Sequence, residues 1–404
     1  MRKKSIKVLF LSSTIHPFVE ELARQLNTRD VETFLVYSDY ASLKSLSRSL
    51  LSVVGLLSFT IKFISKSPQL IIKLVNIMLK YVISSPKRFL SIIYYLIIAS
   101  LIYKLDSKHR FDLIHSFWIY PAGISAVLAK VVVNKPVVIS VLGYDVVGER
   151  TIKSGFFREI SKLALEEADA VIVAAEHHYL SLLKIANIGS KIYFTPVGID
   201  TNKFNPGISG KYIRERYGVA DSDIVVSFGP HLREPYGPED FLQAASIISR
   251  HVQNVTFMLF GDGHLRRKLE KLSRDYSLKA IFTGKIPYNE MPLYYAASDI
   301  FCISSYAGQG VSALEAMASG KPVVGYKTGI IAIIDGVDGF LAKEGDVKEL
   351  AEKILILIRN PDLRKAMGES AREKVLSQHS IAACANRILE IYFSVLKNNL
   401  NALQ

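Results

Sequence analysis

Residues 304–325, "SSYAGQGVSALEAMASGKPVVG", hold the pattern that decides the fold. A glycine-rich loop leads into an apolar helical segment, and a β-branched run follows at "PVVGYK". The stretch before the loop, "DIFCISS", is apolar, as a buried strand would be. A strand, a glycine loop, a helix and a second strand in succession predict a parallel βαβ unit. Glu315 is the one acid inside the helical segment.

The same alternation of apolar runs and helical patterns continues along the chain in both directions. The first half holds "IKVLFLSS", "VETFLVYS", "FDLIHSF", "PVVISVLG", "AVIVAA" and "KIYFTPVG", and the second half adds "DIVVSFGP", "VTFMLFGDG" and "AIFTGK". Strands that are apolar on both faces indicate parallel sheets covered by helices on both sides. We therefore predict the α/β class with two doubly wound domains, divided near "TPVGIDTNKFNPG". Ligands of such sheets bind beyond the carboxyl ends of the strands, so a site between the two domains is expected.

Composition and charge limit the classes of partner. The 404 residues are half apolar and carry a formal net charge of +13, which fits nucleic acid, an anionic membrane or a phosphorylated ligand. The two cysteines, Cys302 and Cys384, lie in apolar patterns and predict neither a disulfide framework nor a metal site, as in a reducing cytosol. The start "MRKKSIKVLFLSS" has the order of a signal peptide, but Lys7 interrupts its apolar part, so we interpret it as the first buried strand.

A basic insertion at residues 41–108 holds most of the excess charge, because Lys and Arg recur along it and Asp106 is its one acid. Two segments, 67–84 and 85–105, open with Ser-Pro and predict a pair of helices. The longest uncharged run, 89–103, is shorter than the roughly 20 residues of a spanning helix, so no span is expected.

Lys73 and Lys80 share one helical face with apolar residues around the rest, as in a helix that lies in a membrane interface. The alternative is an insertion packed on its own domain with solvated lysines. Nucleic acid is not expected, since the segment is aliphatic and offers no aromatic stacking platform.

Two glycine loops that open helices predict a diphosphate site. In "FGDGHLRRKLEKL", Gly261 and Gly263 precede a basic helix whose amino end can meet an anion. In "GQGVSALEAMASGKPVV", the backbone at Gly308 and Gly310 can approach a ligand, and the amides of Val311 and Ser312 begin a helix. Glu315, about one turn in, is placed to accept hydrogen bonds from a diol such as a ribose. The alternative is that Glu315 only complements the helix dipole.

The run from "FTPVGIDTNKF" through "FGDGHLRRKLEKL" and "IFTGKIPYNEMPLYYAASDIF" to "GQGVSALEAMASGKPVV" resembles glycosyltransferase family four, the retaining sugar-nucleotide transferases of GT-B fold. The likeness covers most of residues 190–375. It implies two Rossmann-like domains facing a central cleft, with the acceptor on the first, the nucleotide on the second and no obligatory metal or other cofactor. It also implies a last helix that crosses back, which gives domains at 1–198 and 199–380 and a C-terminal helix at 381–404.

The chain departs from the family pattern around the diphosphate and the donor sugar. Of two glutamates eight positions apart, the second is Glu315 and the first is replaced by Ala307. In "GPHLREPYG", His231 and Tyr236 stand where the family has Arg and Lys. Leu142, before the "GYD" turn, replaces a histidine that often contacts the sugar.

Other side chains are predicted to take over these roles. A diphosphate should raise the pKa of His231, and Arg233 is placed to restore the missing positive charge. Lys285 is a further cation, and backbone atoms near Lys285 and Ile286 are expected at the base. Gln309 offers a neutral contact to the sugar, and the amides around Gly310 would stabilise the leaving group.

Three residues of the first half are candidates for the acceptor side. His16 lies in "SSTIHPF", which replaces the glycine loop of the relatives, and His115 follows a strand in "LIHSFW". A structural role is the alternative for His115. Asp145, in the "GYD" turn, is placed equally well to cap the next helix. The "DSD" triplet at 221–223 resembles a metal-binding motif, but its position indicates a polar turn before a strand.

Two functions stay open from the sequence. The first is a retaining, metal-independent glycosyltransferase that moves a sugar from a UDP or GDP donor to a lipid-linked or polysaccharide acceptor. Such an enzyme would lie on the cytoplasmic face of the cell membrane. The second is a non-catalytic relative that serves as a scaffold in glycan assembly.

Overall fold

The computed structural model describes residues 5–38, 53–81, 85–142, 154–174, 176–306, 310–327 and 332–402. The chain forms two compact units. The first combines Met1–Pro196 with Cys384–Gln404, and the second is Val197–Ala383.

The first unit is built on a six-stranded parallel sheet with the order β2-β1-β3-β4-β5-β6. Its strands are β1 Ile6–Ser12, β2 Val31–Tyr37, β3 Leu113–Phe117, β4 Val137–Val141, β5 Ala170–Val173 and β6 Ile192–Phe194. Every residue of β3, β4 and β5 is buried, as expected for central strands covered on both faces. All six strands coincide with the apolar runs of the first half, so the doubly wound prediction is confirmed here.

Helices cover this sheet and fill the connections between its strands. Their bounds are α1 Pro17–Asn27, α2 Val53–Lys66, α3 Pro68–Tyr81, α4 Pro86–His109, α5 Ile124–Val133, α6 Gly155–Glu167 and α7 Glu176–Leu183. A π-helical turn, Ile119–Gly123, leads into α5, and a 3-10 turn, Gly189–Lys191, precedes β6.

The described part of the basic insertion, residues 53–81 and 85–108, is mainly helical, and it contributes to the core of the first unit. It holds three described helices, α2, α3 and α4, where the Ser-Pro signals predicted two, because α2 begins without such a signal. The two predicted starts are correct, since α3 begins at Pro68 and α4 at Pro86. Phe59, Leu74 and Ile98, one from each helix, belong to the same buried cluster as the sheet residues. The insertion is therefore anchored in the domain on one side.

Among the described residues, one helix passes a length and composition test for a membrane span. The segment Lys87–His109 of α4 has a mean hydropathy of 1.6 over its most apolar window. A third of that window is buried inside the unit, where Ile98 and Ile102 lie in the core.

The second unit repeats the architecture with the strand order β12-β11-β10-β7-β8-β9, all parallel. Its strands are β7 Ile224–Phe228, β8 Val255–Leu259, β9 Ala280–Phe282, β10 Ile300–Ile303, β11 Val323–Tyr326 and β12 Gly339–Ala342. Its helices are α8 Lys211–Arg216, α9 Pro238–Ser249, α10 Arg266–Asp275, α11 Met291–Ala297, α12 Val311–Ala318, α13 Val347–Arg359 and α14 Pro361–Gln378. Of its strands, β12 was not predicted.

The last helix, α15 Ile381–Ala402, belongs to the first unit from Cys384 onward. Its buried Tyr392 hydroxyl lies 2.6 Å from Nδ1 of His115 on β3. Arg29, just after α1, donates to Asn386 at 2.9 Å. The first unit thus contains two stretches of chain that are separated by the whole second unit.

Candidate functional site in the second unit

The loops that follow β7 and β8 are joined at the carboxyl edge of the second sheet. His231 and Asp262 form a parallel backbone bridge, and Leu232 N donates to the Asp262 carbonyl at 3.2 Å. Leu265 N donates to the Leu232 carbonyl at 3.1 Å. Because β7 and β8 are neighbours, the two loops continue the sheet beyond its strands, at the edge where ligands of such sheets bind.

Gly261 and Gly263 are required by this backbone packing. A Cβ atom on Gly261 would lie 1.8 Å from the Pro230 carbonyl oxygen, and one on Gly263 would lie 2.2 Å from the Leu232 carbonyl oxygen. Gly261 also has φ +80°, in the left-handed region that glycine tolerates. The Gly263 amide donates to Oδ1 of Asp262 at 2.8 Å. The glycines expected to receive an anion therefore serve first to hold the two loops together.

The loop after β10 is tied to the same edge. Ser304 Oγ donates to the Gly237 carbonyl at 2.6 Å, and Tyr306 N donates to the Pro235 carbonyl at 2.8 Å. The Tyr306 hydroxyl bonds Asp240 Oδ2, which also accepts from Tyr326 at 2.8 Å. The start of this loop thus rests on the loop after β7.

Helix α12 begins directly after Gly310, which has φ +66° and ψ +34°. The Gly310 carbonyl accepts the first helical bond, from Leu314 N at 2.9 Å. Val311 and Ser312 form the half-exposed first turn. Gly308 and Gln309 lie outside the described residues. The predicted order of strand, loop and helix is therefore present, with Gly310 as the residue before the helix.

Glu315 is buried, with 5% of its surface exposed. The Tyr295 hydroxyl donates to its Oε2 at 2.9 Å, and the Tyr288 hydroxyl is a second hydrogen-bonding neighbour. Burial raises the pKa of the Glu315 carboxyl to about 7, although both hydroxyls and the charge of Lys203 act to lower it. No acid lies in the first turn of α12. Simple complementation of the helix dipole, which falls off within that turn, therefore does not explain Glu315.

Tyr288 forms the solvent side of this cluster. Its residue surface is 39% exposed, and the Lys203 ammonium lies 3.9 Å from the centre of its ring. Phe204 packs against the same ring at 5.8 Å. The local sequence pattern gives Tyr288, Tyr295 and Lys203 no role, although each lies in a stretch that carries the family resemblance. Only the fold shows that they surround Glu315.

His231 and Arg233 both lie close to the ring of Tyr236. The rings of His231 and Tyr236 are 4.6 Å apart, and the Arg233 guanidinium lies 5.6 Å from the Tyr236 ring. Burial, and then the charge of Arg233, lower the pKa of His231. This direction is opposite to the one expected beside a diphosphate, because the groups described here disfavour the imidazolium. The two predicted phosphate residues nevertheless lie together, in contact with the residue that replaces the family's lysine.

Lys285 and Ile286 follow β9 in the next loop of the same edge. Gly284, just before them, bridges Gly261 in the antiparallel sense. Lys285 is exposed, and Ile286 packs against the core cluster that contains Tyr295. The structure therefore places Lys285 in the loop adjoining the one after β8.

His16 and His115 have structural partners in the first unit. Nδ1 of His16 accepts from Phe18 N at 3.2 Å and so caps α1, and burial lowers its pKa. His115 is fully buried, with Nε2 at 2.8 Å from Ser140 Oγ and Nδ1 on Tyr392. Burial lowers the pKa of His115 to about 3. An acceptor-contacting role for His115 is thus replaced by a structural one, and Asp145 lies outside the described residues.

The acidic triplet before β7 is part of a structural network. Asp223 is buried, accepts from Thr256 Oγ1 at 2.6 Å and pairs with Lys279. Within the described ranges no group of three or more His, Cys, Asp or Glu side chains is arranged to hold a metal ion.

Comparison with known proteins gives matches in both halves of the chain. The family described as glycosyl transferases group 1 matches residues 211–374, and the family described as glycosyl transferase 4-like matches residues 7–175. Together the two matches cover most of the chain.

Two curated relatives and one solved structure illustrate the likeness. The sulfoquinovosyl transferase SQD2 of Arabidopsis thaliana is 31% identical over 44% of this chain and 35% of its own length. The GDP-mannose-dependent alpha-(1-6)-phosphatidylinositol monomannoside mannosyltransferase of Mycolicibacterium smegmatis is 25% identical over 56% of this chain and 62% of its own. The chain thus spans less than two thirds of either relative. Anabaena Alr3699/HepE, solved in complex with UDP and glucose, superposes with a TM-score of 0.72 at 20% identity, covering 96% of this chain and all of that one. This similarity supports the GT-B fold.

Proposed function

Because the chain belongs to the group 1 glycosyl transferases, we propose that it moves a sugar from a nucleoside diphosphate to an acceptor hydroxyl, with retention of configuration and without a metal ion. The position of Glu315 carries the proposal. This acid lies one turn into the helix after Gly310, beside β10, whose neighbour β7 ends in the loop of His231 and Arg233. A carboxylate at that edge is suited to accept hydrogen bonds from the two hydroxyls of a ribose.

The proposed chemistry rests on stabilising the departing diphosphate. The bond from the anomeric carbon to the phosphate oxygen breaks, and the acceptor oxygen bonds that carbon on the same face. The acceptor proton passes to the departing phosphate. Arg233, Lys285, a protonated His231 and the amides after Gly310 are the groups that would balance the growing negative charge, and such electrostatic stabilisation lowers the barrier more than other effects do. Gln309 would contact the sugar where the family has the acid that Ala307 replaces.

The donor is proposed to be of the UDP or GDP type. Alr3699/HepE has been solved with UDP and glucose, and the mycobacterial relative is named for its dependence on GDP-mannose. The acceptor is proposed to be lipid-linked or a growing polysaccharide. The name of the mycobacterial relative includes phosphatidylinositol monomannoside, which is a lipid. The basic insertion lies in the unit to which the resemblance assigns the acceptor. The protein would act at the cytoplasmic face of the cell membrane.

Calorimetric titration of the purified protein with UDP, GDP and their common sugar conjugates tests this function. We expect one conjugate to bind, to bind equally with a chelator present, and to be hydrolysed slowly without acceptor. Glu315→Ala should weaken binding by about ten- to a hundredfold, since a hydrogen bond to a charged group is lost. Glu369→Ala, which removes an exposed acid on α14, is the matched control. Equal affinity of the two variants would refute the ribose contact.

A non-catalytic scaffold is the second candidate, favoured by Ala307, His231 and Tyr236 at positions where the family has charged residues. Hydrolysis separates the two functions. A folded protein that binds a conjugate but never turns it over, with or without candidate acceptors, would favour the scaffold. Turnover that Arg233→Ala reduces would exclude it.

A further inference from the structure

Helix α3 of the insertion has two apolar stripes on opposite sides. The inner stripe, Leu70, Leu74 and Ile77, is buried in the core of the first unit. The outer stripe consists of Ile72, Val75 and Leu79, which are 59%, 43% and 60% exposed. At about 100° per residue the outer stripe lies within about 60° of arc and faces away from the inner one. The inner stripe explains how α3 is held, and leaves the outer stripe without a structural purpose.

The neighbouring helix α2 has the same arrangement. Phe59 and Phe63 are buried in the core, whereas Ile61 and Ile64 on the other side are 67% and 57% exposed. Scattered exposed apolar side chains are ordinary, but repeated exposed aliphatic residues on two consecutive helices mark a surface that is covered in use.

The charged residues of α2 and α3 indicate what covers this exposed apolar surface. On α3 the two lysines, Lys73 and Lys80, lie between the inner and outer stripes on one side of the helix, and they contact different residues of the protein. Lys73 is neutralised by Glu167 of α6 at 2.6 Å, so it is not the lipid-facing charge that its spacing suggested. The Lys80 ammonium lies 4.9 Å from the centre of the Tyr81 ring, and Lys62 bonds the Tyr103 hydroxyl. Among the described residues neither Lys80 nor Lys62 forms an ion pair with an acid, in contrast to Lys73.

We propose that the outer faces of α2 and α3 lie in the interface of an anionic bilayer, with the outer stripe among the acyl chains and Lys80 and Lys62 at the head groups. An aliphatic face flanked by lysines fits such a surface, because the ammonium reaches the head groups while its stem stays in the apolar layer. A negatively charged leaflet attracts each of these lysines. The inference rests on the proposed function, to which it adds the lipid surface that would present the acceptor.

Vesicle flotation with the full chain tests the docking surface. We expect binding to phosphatidylcholine vesicles that contain about a third phosphatidylglycerol, and much weaker binding to phosphatidylcholine alone. Ile72→Ser with Leu79→Ser should lower the partition coefficient at least about tenfold, because two side chains leave the acyl layer. The matched control is Ile356→Ser with Leu376→Ser, which alters side chains 41% and 46% exposed on α13 and α14 of the second unit. It should bind as the unaltered protein does.

A second pair of variants tests the role of charge. Lys62→Gln with Lys80→Gln should weaken binding to anionic vesicles about tenfold and reduce its sensitivity to salt, while leaving the weak binding to phosphatidylcholine unchanged. Equal flotation of the α3 double variant and the unaltered protein would overturn the proposal. So would a salt-stable dimer that the α3 variant dissociates in the absence of vesicle binding, since the surface would then meet a second copy of the chain.

Nucleotide titration of the same preparations separates this inference from the proposed function. The α3 variant should keep its affinity for the nucleotide sugar, because both of its changes lie in the first unit and the proposed nucleotide site lies in the second. A protein that floats with anionic vesicles but binds no nucleotide would contradict the proposed transferase function and support the membrane-docking surface. A protein that binds a nucleotide sugar but does not float with anionic vesicles would contradict the docking surface only.

Discussion

At the scale of single residues, Glu315 is an acid that is almost completely removed from water. It lies under two tyrosine hydroxyls, and its carboxyl has a pKa of about 7 because burial disfavours the charge. A carboxyl that changes its charge near neutral pH affects both the stability of the second unit and the binding of a diol.

The first prediction concerns stability. The pKa of Glu315 is raised above the unfolded value of 4.5, so between pH 4.5 and 7 the folded chain holds a proton that the unfolded chain releases. The stability that this proton supports is complete below pH 4.5 and is lost as the pH rises through 7, by about 3 kcal/mol in total. Glu315→Gln, which is neutral at every pH, should therefore gain stability relative to the unaltered protein over that range.

Urea titrations at pH 5 and pH 8, followed by circular dichroism, measure how the free energy of unfolding of Glu315→Gln differs from that of the unaltered protein. Glu369→Gln, on the exposed surface of α14, keeps Glu315, so its stability relative to the unaltered protein should be the same at both pH values. Tyr288→Phe removes a hydroxyl that lowers the pKa of Glu315, so the loss of stability should move to higher pH. Parallel pH dependence of Glu315→Gln and the unaltered protein would contradict the burial argument.

The second prediction concerns ligand binding. An ionised Glu315 accepts hydrogen bonds from both hydroxyls of a ribose, and a protonated one accepts fewer. Affinity for a nucleoside-diphosphate sugar should rise about tenfold from pH 6 to pH 8, as the ionised fraction rises. Protonation of His231 would act in the opposite direction, because it favours a diphosphate at low pH. A dideoxyribose analogue is the control, and a pH response that persists with it would exclude Glu315 as the source.

At the scale of elements, the loops after β7 and β8 are held by glycines that have no room for a side chain. The third prediction is that Gly261→Ala costs several kcal/mol of stability and also weakens nucleotide binding, because the new Cβ would press on the Pro230 carbonyl beside His231. Gly336→Ala is a matched control. Gly336 has the same φ of +80°, and an added Cβ would meet nothing within 4 Å.

Both variants carry the conformational penalty of a left-handed residue, about 1 kcal/mol, and only Gly261→Ala adds the clash. Thermal unfolding and calorimetry on the pair separate the two effects. Similar losses in the two variants would show that backbone packing between the loops matters little.

The elements that sequence predicts well are those with a strong local signal. Every strand of the first sheet is a β-branched or aromatic run, and the starts of α3 and α4 carry Ser-Pro. The strand β12, "GFLA", is missed because it contains no β-branched residue, so its pairing with β11 decides its state. Helix α2 is missed because no Ser-Pro pair marks its start.

The site residues that the sequence can indicate are likewise those with a local signal. Gly310 and Glu315 can be proposed from the sequence because their spacing along one loop and helix defines them. Tyr288 and Lys203 are 27 and 112 positions from Glu315, and Glu167 is 94 from Lys73. Partners at such distances are fixed by the packing of separate elements. The sequence also does not show that His115 is structural, because its hydrogen-bond partner Tyr392 lies on the last helix, far from it along the chain.

At the scale of the whole molecule, the first unit is discontinuous, and its last helix supplies buried Ile388, Tyr392 and Val395. The fourth prediction is that residues 1–196 alone unfold at lower urea than the same residues joined to 384–402 by a flexible linker. Without α15, His115 Nδ1 loses its partner, a loss of about 1–3 kcal/mol, and apolar surface of the unit is uncovered.

Circular dichroism and binding of a hydrophobic dye compare the two proteins. Tyr392→Phe in the linked protein isolates the hydrogen bond from the packing, and should give a smaller loss than removal of the helix. Equal unfolding midpoints with and without the helix would show that the first unit is complete at residue 196.

The return of the last helix also sets an order for biosynthesis. A ribosome makes the six strands of the first unit, then the whole second unit, and only afterwards the helix that contains Tyr392. The second unit is therefore the first to have its entire sequence available, although it is translated later than the sheet of its neighbour. During that interval the nascent first unit shows the apolar surface that α15 will cover, so chaperones that recognise such surface should engage this chain until translation passes residue 402.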